Sequence, residues 1–324
     1  MPFIPLMKRK IRKLKRKVHK LPTLHRIVAV FAVLLISFFS IVVYSVYSAP
    51  QYKAEVKTIK TDRAEIAYYV RGKGEPLILL PGFGMTMQHW DPALVQKLSM
   101  HNQVIMFDYR GVGASGGNAS GTTQDIMIDD VVTLMDDLKI ERAHLVGWSL
   151  GSFVAQGLTQ KYPDRVDHLV LIATAPGGEA AIPAPKEIRD KVQKSLEGSW
   201  EKAYVPMMFL DAKDTEAYLK RVADAQKSGE LPKSKGETLE AKIAHQSAFA
   251  DEGKEEARYL ELGNIESPTL LITGDKDELT SVKNAELVAE RIPKSELVIM
   301  PDAGHAVMFE ENDDVARLIR GFLR

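Results

Sequence analysis

From Glu55 onward the apolar positions fall into short runs divided by turn residues, and helical spacing fills the gaps between them. The pattern predicts strands at Glu55 to Thr61, Ala64 to Arg71, Leu77 to Leu80, Val104 to Phe107, His144 to Trp148, His168 to Ile172, Thr269 to Thr273 and Glu296 to Met300. Helices are expected to start near His89, Asp125, Leu150, Val282 and Asp314. Strands that alternate with helices imply an open, mostly parallel α/β sheet. Between Gly178 and Ser267 the strand signals stop. The sequence there is charge-rich, with helical stretches at Lys186 to Glu197, Thr215 to Ala225 and Thr238 to Ala248, which reads as a helical insertion at about 179–266.

The N-terminus has a different pattern. Ile27 to Ser48 carries no charge and would span roughly 33 Å as a helix at about 1.5 Å per residue, enough to cross a bilayer. Its length exceeds the roughly 7–15 residue core of a cleavable signal peptide. Val46-Tyr47-Ser48 before Ala49 nevertheless offers a small-residue cleavage site, so anchor and cleaved signal both stand, the anchor being favoured. Residues 1–26 hold ten Lys and Arg and no acid. The positive-inside rule places such a tail in the cytoplasm and residues 52–324 on the far side of the membrane. A nucleic-acid-binding tail is the rival reading; the apolar span that follows favours a juxtamembrane one.

That tail changes the meaning of the charge balance. The whole chain has 43 basic and 43 acidic residues, so the remainder carries ten more acids than bases. An acidic domain with no basic patch argues against nucleic acid as a partner. The absence of cysteine excludes disulfides and a thiol nucleophile. No metal-ligand cluster is evident and no cofactor is expected.

Candidate chemistry begins at Gly147-Trp148-Ser149-Leu150-Gly151. The strand-like Ala143 to Val146 precedes it, and a helical pattern from Leu150 to Tyr162 follows. A serine at the tip of so tight a strand-to-helix turn needs small neighbours two positions either side, because strand and helix backbones approach closely there. A serine nucleophile also needs a base, and the base an orienting acid. Gly274-Asp275-Lys276-Asp277 and Pro301-Asp302-Ala303-Gly304-His305 each follow the C-terminal end of a predicted strand, where open α/β sheets place their sites.

Five segments together carry a resemblance: Leu79-Leu80-Pro81-Gly82-Phe83-Gly84, Phe107 to Ser115, the turn at Ser149, Gly274 to Asp277, and Gly304-His305. From about Tyr52 to Arg324 the chain resembles an α/β-hydrolase fold enzyme of the serine esterase or lipase type. The resemblance implies a mostly parallel eight-stranded sheet flanked by helices, with a helical lid at about 179–266. One transmembrane helix would precede it.

By that resemblance Ser149 is the nucleophile, His305 the general base and then acid, and Asp277 the residue that holds the imidazole tautomer. Asp275, two positions earlier, is the alternative acid, read as a solvated or turn-capping carboxylate. The oxyanion donors would be the amides of Leu150 and Phe83. Here Pro81-Gly82 stands where the family has a His-Gly pair, which removes an imidazole that usually supports the loop. Asp108-Tyr109-Arg110-Gly111 reads as a structural loop-pinning element. The glycine-rich Gly111 to Gly116 lacks the lysine of a phosphate-binding loop.

A serine at this turn, rather than an aspartate, argues against haloalkane dehalogenases and epoxide hydrolases. It points to cleavage of a small-molecule ester or lipid. Peptidase, thioesterase, C–C bond hydrolase and a non-catalytic ligand-sensing role are the alternatives. In the insertion, Trp200, Tyr204, Val205, Pro206, Met207, Met208, Phe209 and Leu210 form an apolar cluster. It reads equally as the lining of an acyl pocket or as glue between insertion and body.

Overall fold

The computed structural model describes residues 31–32, 35, 52–62, 64–232, 238–247 and 252–324. The chain divides into two units, Met1–Tyr52 and Lys53–Arg324. The span expected at 27–48 and the basic tail at 1–26 lie outside the described residues, apart from the helical Phe31, Ala32 and Leu35. Among the described residues no helix is long and apolar enough to cross a membrane.

The second unit is built on eight strands: β1 Lys57–Lys60, β2 Glu65–Arg71, β3 Glu75–Leu80, β4 Asn102–Phe107, β5 Ala143–Trp148, β6 Val166–Ile172, β7 Thr269–Gly274 and β8 Ser295–Met300. They form one sheet in the order β1-β2-β4-β3-β5-β6-β7-β8. Only β2 runs against its neighbours; the pairs from β4 through β8 are parallel. The central strands are covered on both faces, so Leu77 to Leu80 have no exposed surface and read in sequence as an unbroken apolar run.

The helices begin where capping chemistry dictates. Thr123 accepts the amide of Ile126 and starts Gln124–Asp137, one residue ahead of the expected Asp125. The helix expected from His89 starts instead at Pro92, because Asp91 caps the amide of Ala93 and proline suits the first helical position. Met87–His89 form a separate 3₁₀ turn. Leu150–Lys161 and Val282–Arg291 begin as expected, and the last helix, Asn312–Phe322, begins two residues before Asp314. Leu150–Lys161 packs against β3, β5 and β6, which fixes the start of that helix beneath the C-terminal edge of the sheet.

Between β6 and β7 the chain is helical, as the sequence indicates, with helices Lys186–Ser195, Val205–Met208, Ala212–Ser228, Leu239–Ser247 and Glu252–Glu261. Neither Val205–Met208 nor Glu252–Glu261 is among the helical stretches expected from the sequence; the first is a single short turn, and the second has few apolar positions to mark it, its Arg258 Nη2 donating to Asp125 Oδ1 at 2.7 Å.

Candidate active site

Ser149 stands between the end of β5 and the first turn of Leu150–Lys161, with φ 52° and ψ −120°. This is a costly backbone conformation for a residue with a Cβ and persists only where neighbours enforce it. The enforcement is visible. A Cβ on Gly147 would collide with the backbone of Gly151, and one on Gly151 with the carbonyl of Leu80. The amide of Ser149 donates to Ile172 O at 2.9 Å, and Ser152 Oγ donates to Ser149 O at 2.6 Å. Thr174 Oγ1, from the segment after β6, lies 2.8 Å from Ser152 Oγ and accepts Gln156 Nε2 at 2.7 Å. None of Ser152, Gln156 or Thr174 was singled out in the sequence. Two polar residues four apart on an otherwise buried helix face were the available signal.

His305 reaches this serine from the loop after β8. Its Nε2 lies 3.0 Å from Ser149 Oγ, and its Nδ1 lies 2.9 Å from Asp277 Oδ2 in the turn after β7. With Nδ1 carrying the proton donated to the carboxylate, Nε2 presents a lone pair to the hydroxyl. The three side chains thus come together across 156 and 28 residues of sequence. Asp275, the alternative acid, is exposed and lies 3.4 Å from Lys276 Nζ.

Asp277 is almost wholly buried. Burial pushes its pKa up, but the charge and hydrogen bond of His305 and the hydrogen bonds from Thr280 outweigh that and hold it below its ordinary value. Its Oδ1 accepts the amides of Leu279 and Thr280, both at 2.8 Å, and Oδ2 accepts Thr280 Oγ1 at 2.8 Å. Thr280 escaped notice in the sequence, although a hydroxyl three residues after an aspartate is a common turn signal.

The His305 loop has its own supports. Trp148 Nε1 donates to His305 O at 3.0 Å, and the amide of Gly304 donates to Glu310 Oε2 at 2.7 Å. Glu310 Oε1 also accepts the amide of Leu210, at 2.8 Å. One carboxylate therefore ties the histidine loop to the helical insertion. Burial raises the pKa of Glu310, the two amides lower it, the charges of Asp214 and Glu311 raise it, and the net shift is upward.

Phe83 lies in the loop after β3, in the wall of the same cavity as Ser149. Leu150 opens its helix, where the first amides have no intrahelical acceptor and the helix dipole favours negative charge. The missing imidazole at the start of the loop is offset at its far end. The amide of Thr86 donates to His89 Nδ1 at 3.0 Å, and the amide of Met87 to Asp108 Oδ1 at 2.6 Å. Asp108 Oδ2 accepts the amide of Ala114 at 2.7 Å, so this carboxylate pins two loops to each other. Gly82 has to be glycine because a Cβ would enter the ring of Trp148.

A cavity of about 180 Å³ opens beside Ser149 and His305, walled by Phe83, Val192, Tyr204, Met207, Met208 and Leu279. The apolar cluster of the insertion therefore divides between its two readings. Tyr204, Met207 and Met208 face the cavity, Val205 and Phe209 are buried, and Pro206 and Leu210 are exposed. The side chain of Trp200 lies outside the description.

The other described histidines serve elsewhere, and His101 is exposed in the turn before β4. His89 accepts the Thr86 amide, His144 Nε2 lies 3.1 Å from Glu75 Oε2, His168 stacks edge-on against His144, and His245 is buried edge-on against Tyr109 and Phe83. Among the described residues no group of three or more metal-binding side chains comes together.

Known proteins resemble this chain in sequence or in fold. Proline iminopeptidase PfmaB of Pestalotiopsis fici is 26% identical over 83% of this chain and 99% of its own length. Lipase 3 of a Moraxella species is 28% identical over 85% of this chain and 87% of its own. An alpha/beta hydrolase fold protein from Chitinophaga pinensis has a solved structure that superposes with a TM-score of 0.73 at 23% identity. It covers 83% of this chain and 97% of that one, and at that identity the likeness concerns the fold alone. The profile of the alpha/beta hydrolase fold family matches residues 75–312, and the chain belongs to that family.

Proposed function

We propose that this protein is a serine hydrolase that cleaves carboxylic esters. The carrying observation is the continuous chain from Ser149 Oγ through His305 to Asp277, at 3.0 and 2.9 Å, beside an apolar cavity. Ser149 Oγ attacks the ester carbonyl while His305 Nε2 takes its proton. The carbonyl oxygen becomes an oxyanion and accepts the amides of Phe83 and Leu150, each donor contributing on the order of 3 kcal/mol of barrier lowering. The adduct collapses, the C–O bond breaks, and His305 returns the proton to the departing alcohol. Water, deprotonated by His305, then attacks the acyl-serine; the bond from Ser149 Oγ to the acyl carbon breaks, the acid leaves, and His305 returns the proton to Ser149 Oγ.

Relatives of this family include a lipase and a peptidase, so the family does not fix the bond cleaved. The cavity wall favours the ester. Among the described residues lining it there is no carboxylate to receive a free amine, as an aminopeptidase substrate would require. The helices between β6 and β7 act in this reading as the cover of the site. The sequence of residues 1–48 supports a single membrane anchor with a cytoplasmic N-terminus, which puts the catalytic unit outside the cytoplasm.

A fluorophosphonate should label Ser149, and Ser149→Ala should abolish both the labelling and the hydrolysis of p-nitrophenyl esters. A folded protein that hydrolyses esters equally well with alanine at 149 would refute the assignment. Protease protection in intact cells tests the topology: the catalytic unit should be cut from the outside.

A further inference from the structure

The helical cover is tied to the body at both ends. Asn284 exchanges two hydrogen bonds with the backbone of Ile182, each 2.8 Å, where the insertion begins. The amide of Ala306 donates to Met208 O at 2.9 Å, and Glu310 holds the amide of Leu210. Tyr218 donates to His89 O at 2.7 Å and stacks on Phe309 with ring centroids 4.8 Å apart. Arg221 Nη2 lies 2.6 Å from Asp91 Oδ2, a carboxylate with no exposed surface. Farther along, Gln160 Nε2 of the body donates to Arg258 O of the cover at 2.6 Å. Swinging this cover aside would break these polar contacts, most of them at least partly buried, at several points together.

The cavity beneath it is small and uncharged. A cavity of roughly 150 Å³ lined by aliphatic and aromatic side chains accepts one benzene ring. The 180 Å³ beside Ser149 therefore holds a group of about six or seven heavy atoms. No Lys, Arg, Asp or Glu is among the described residues that line it, so an ionised acyl group would lose its hydration without a partner.

Building on the esterase reading, we infer that the protein acts on dissolved, uncharged short-acyl esters under a fixed cover, without the activation by a lipid surface that a swinging lid would give. Met207 and Met208 set the acyl length. Acyl chains longer than the cavity leave their outer methylenes in water and gain nothing from it.

The test is a homologous series of p-nitrophenyl alkylphosphonates, methyl to dodecyl, reacted with the full-length protein in detergent solution. Each is followed by p-nitrophenolate release and by the mass added at Ser149. The labelling rate should reach its maximum at butyl to hexyl and gain nothing further through dodecyl, since the added methylenes find no apolar wall. A rate that climbs through to dodecyl overturns the inference. Met207→Ala should move the peak two or more carbons longer, and an unmoved peak removes methionine from the length-setting role. A second arm raises tributyrin through its solubility limit: a smooth hyperbola supports the fixed cover, and a step in rate at the limit refutes it. The matching p-nitrophenyl carboxylates separate the two readings. Labelling that peaks at butyl to hexyl with no ester turnover would sink the esterase function and leave the cavity assignment standing.

Discussion

His305 donates through Nδ1 to Asp277 Oδ2 at 2.9 Å, while the other oxygen of that carboxylate is occupied by the amides of Leu279 and Thr280. The acid is thus held by its own turn and has one direction in which to act. Asp277→Asn keeps an acceptor for the two amides, so the fold should survive. It offers an N–H or a neutral oxygen to the imidazole and loses control of the tautomer. Turnover should fall by about four orders of magnitude with little change in melting temperature. Near-wild-type kcat in a folded variant would transfer the role to another carboxylate.

Burial raises the pKa of both Asp277 and Glu310, but only at Asp277 do the partners outweigh it, so the two groups have opposite effects on acid stability. The folded pKa of Asp277 is depressed, so its contribution is complete above the ordinary aspartate value and disappears as pH falls through the folded one. That of Glu310 is raised: its contribution is complete below the ordinary glutamate value and is lost as pH rises through the folded one. Below about pH 4, melts of Asp277→Asn should therefore lose less stability per pH unit than the wild type. Parallel curves for the two proteins would mean that Asp277 is not the linked group. Activity, by contrast, should fall on the acid side because a protonated His305 cannot accept the serine proton. A rate unchanged from neutral to strongly acidic pH would rule out His305 as base.

The strands were legible because their surroundings are uniform. Leu77 to Leu80 and Leu169 to Ile172 are buried on both faces of a parallel sheet, and such strands announce themselves as apolar runs. Gly147 and Gly151 were legible for a steric reason, since backbone and carbonyl occupy the space a Cβ would take. The supporting contacts were hidden. Glu310 meets an amide 100 residues away, and Thr174 meets Ser152 and Gln156 from the far side of β6; local pattern carries no trace of such pairings. The helix start at Pro92 is written in Asp91-Pro92, a capping residue followed by proline at the first helical position, whereas His89 belongs to the preceding 3₁₀ turn.

Glu310 joins Gly304 to Leu210, so its removal should be felt in both the fold and the rate. Glu310→Ala leaves two amides without their acceptor and should cost about 2–3 kcal/mol of stability. It also frees the loop that aims His305, and kcat should drop by about tenfold or more while KM changes less, because the loss falls on the transition state. Glu310→Gln can satisfy one amide but not both and should lie between. Equal melting temperatures for Ala and wild type would show that the clamp contributes nothing.

Asp91 has no exposed surface and faces the partly exposed guanidinium of Arg221, which also reaches Phe309 O at 3.3 Å. Arg221→Met strips the partner from a buried carboxylate, and breaking such a pair typically costs about 3–5 kcal/mol. The value here should fall at the lower end, because a third of the arginine surface meets solvent. Asp91→Asn in the Arg221→Met background removes the stranded charge and keeps an oxygen for the Ala93 amide, so the double variant should recover part of the loss. A double-mutant cycle by chemical denaturation reads this directly, as a coupling larger than about 1 kcal/mol. Additive single effects would mean that the pair is screened by water.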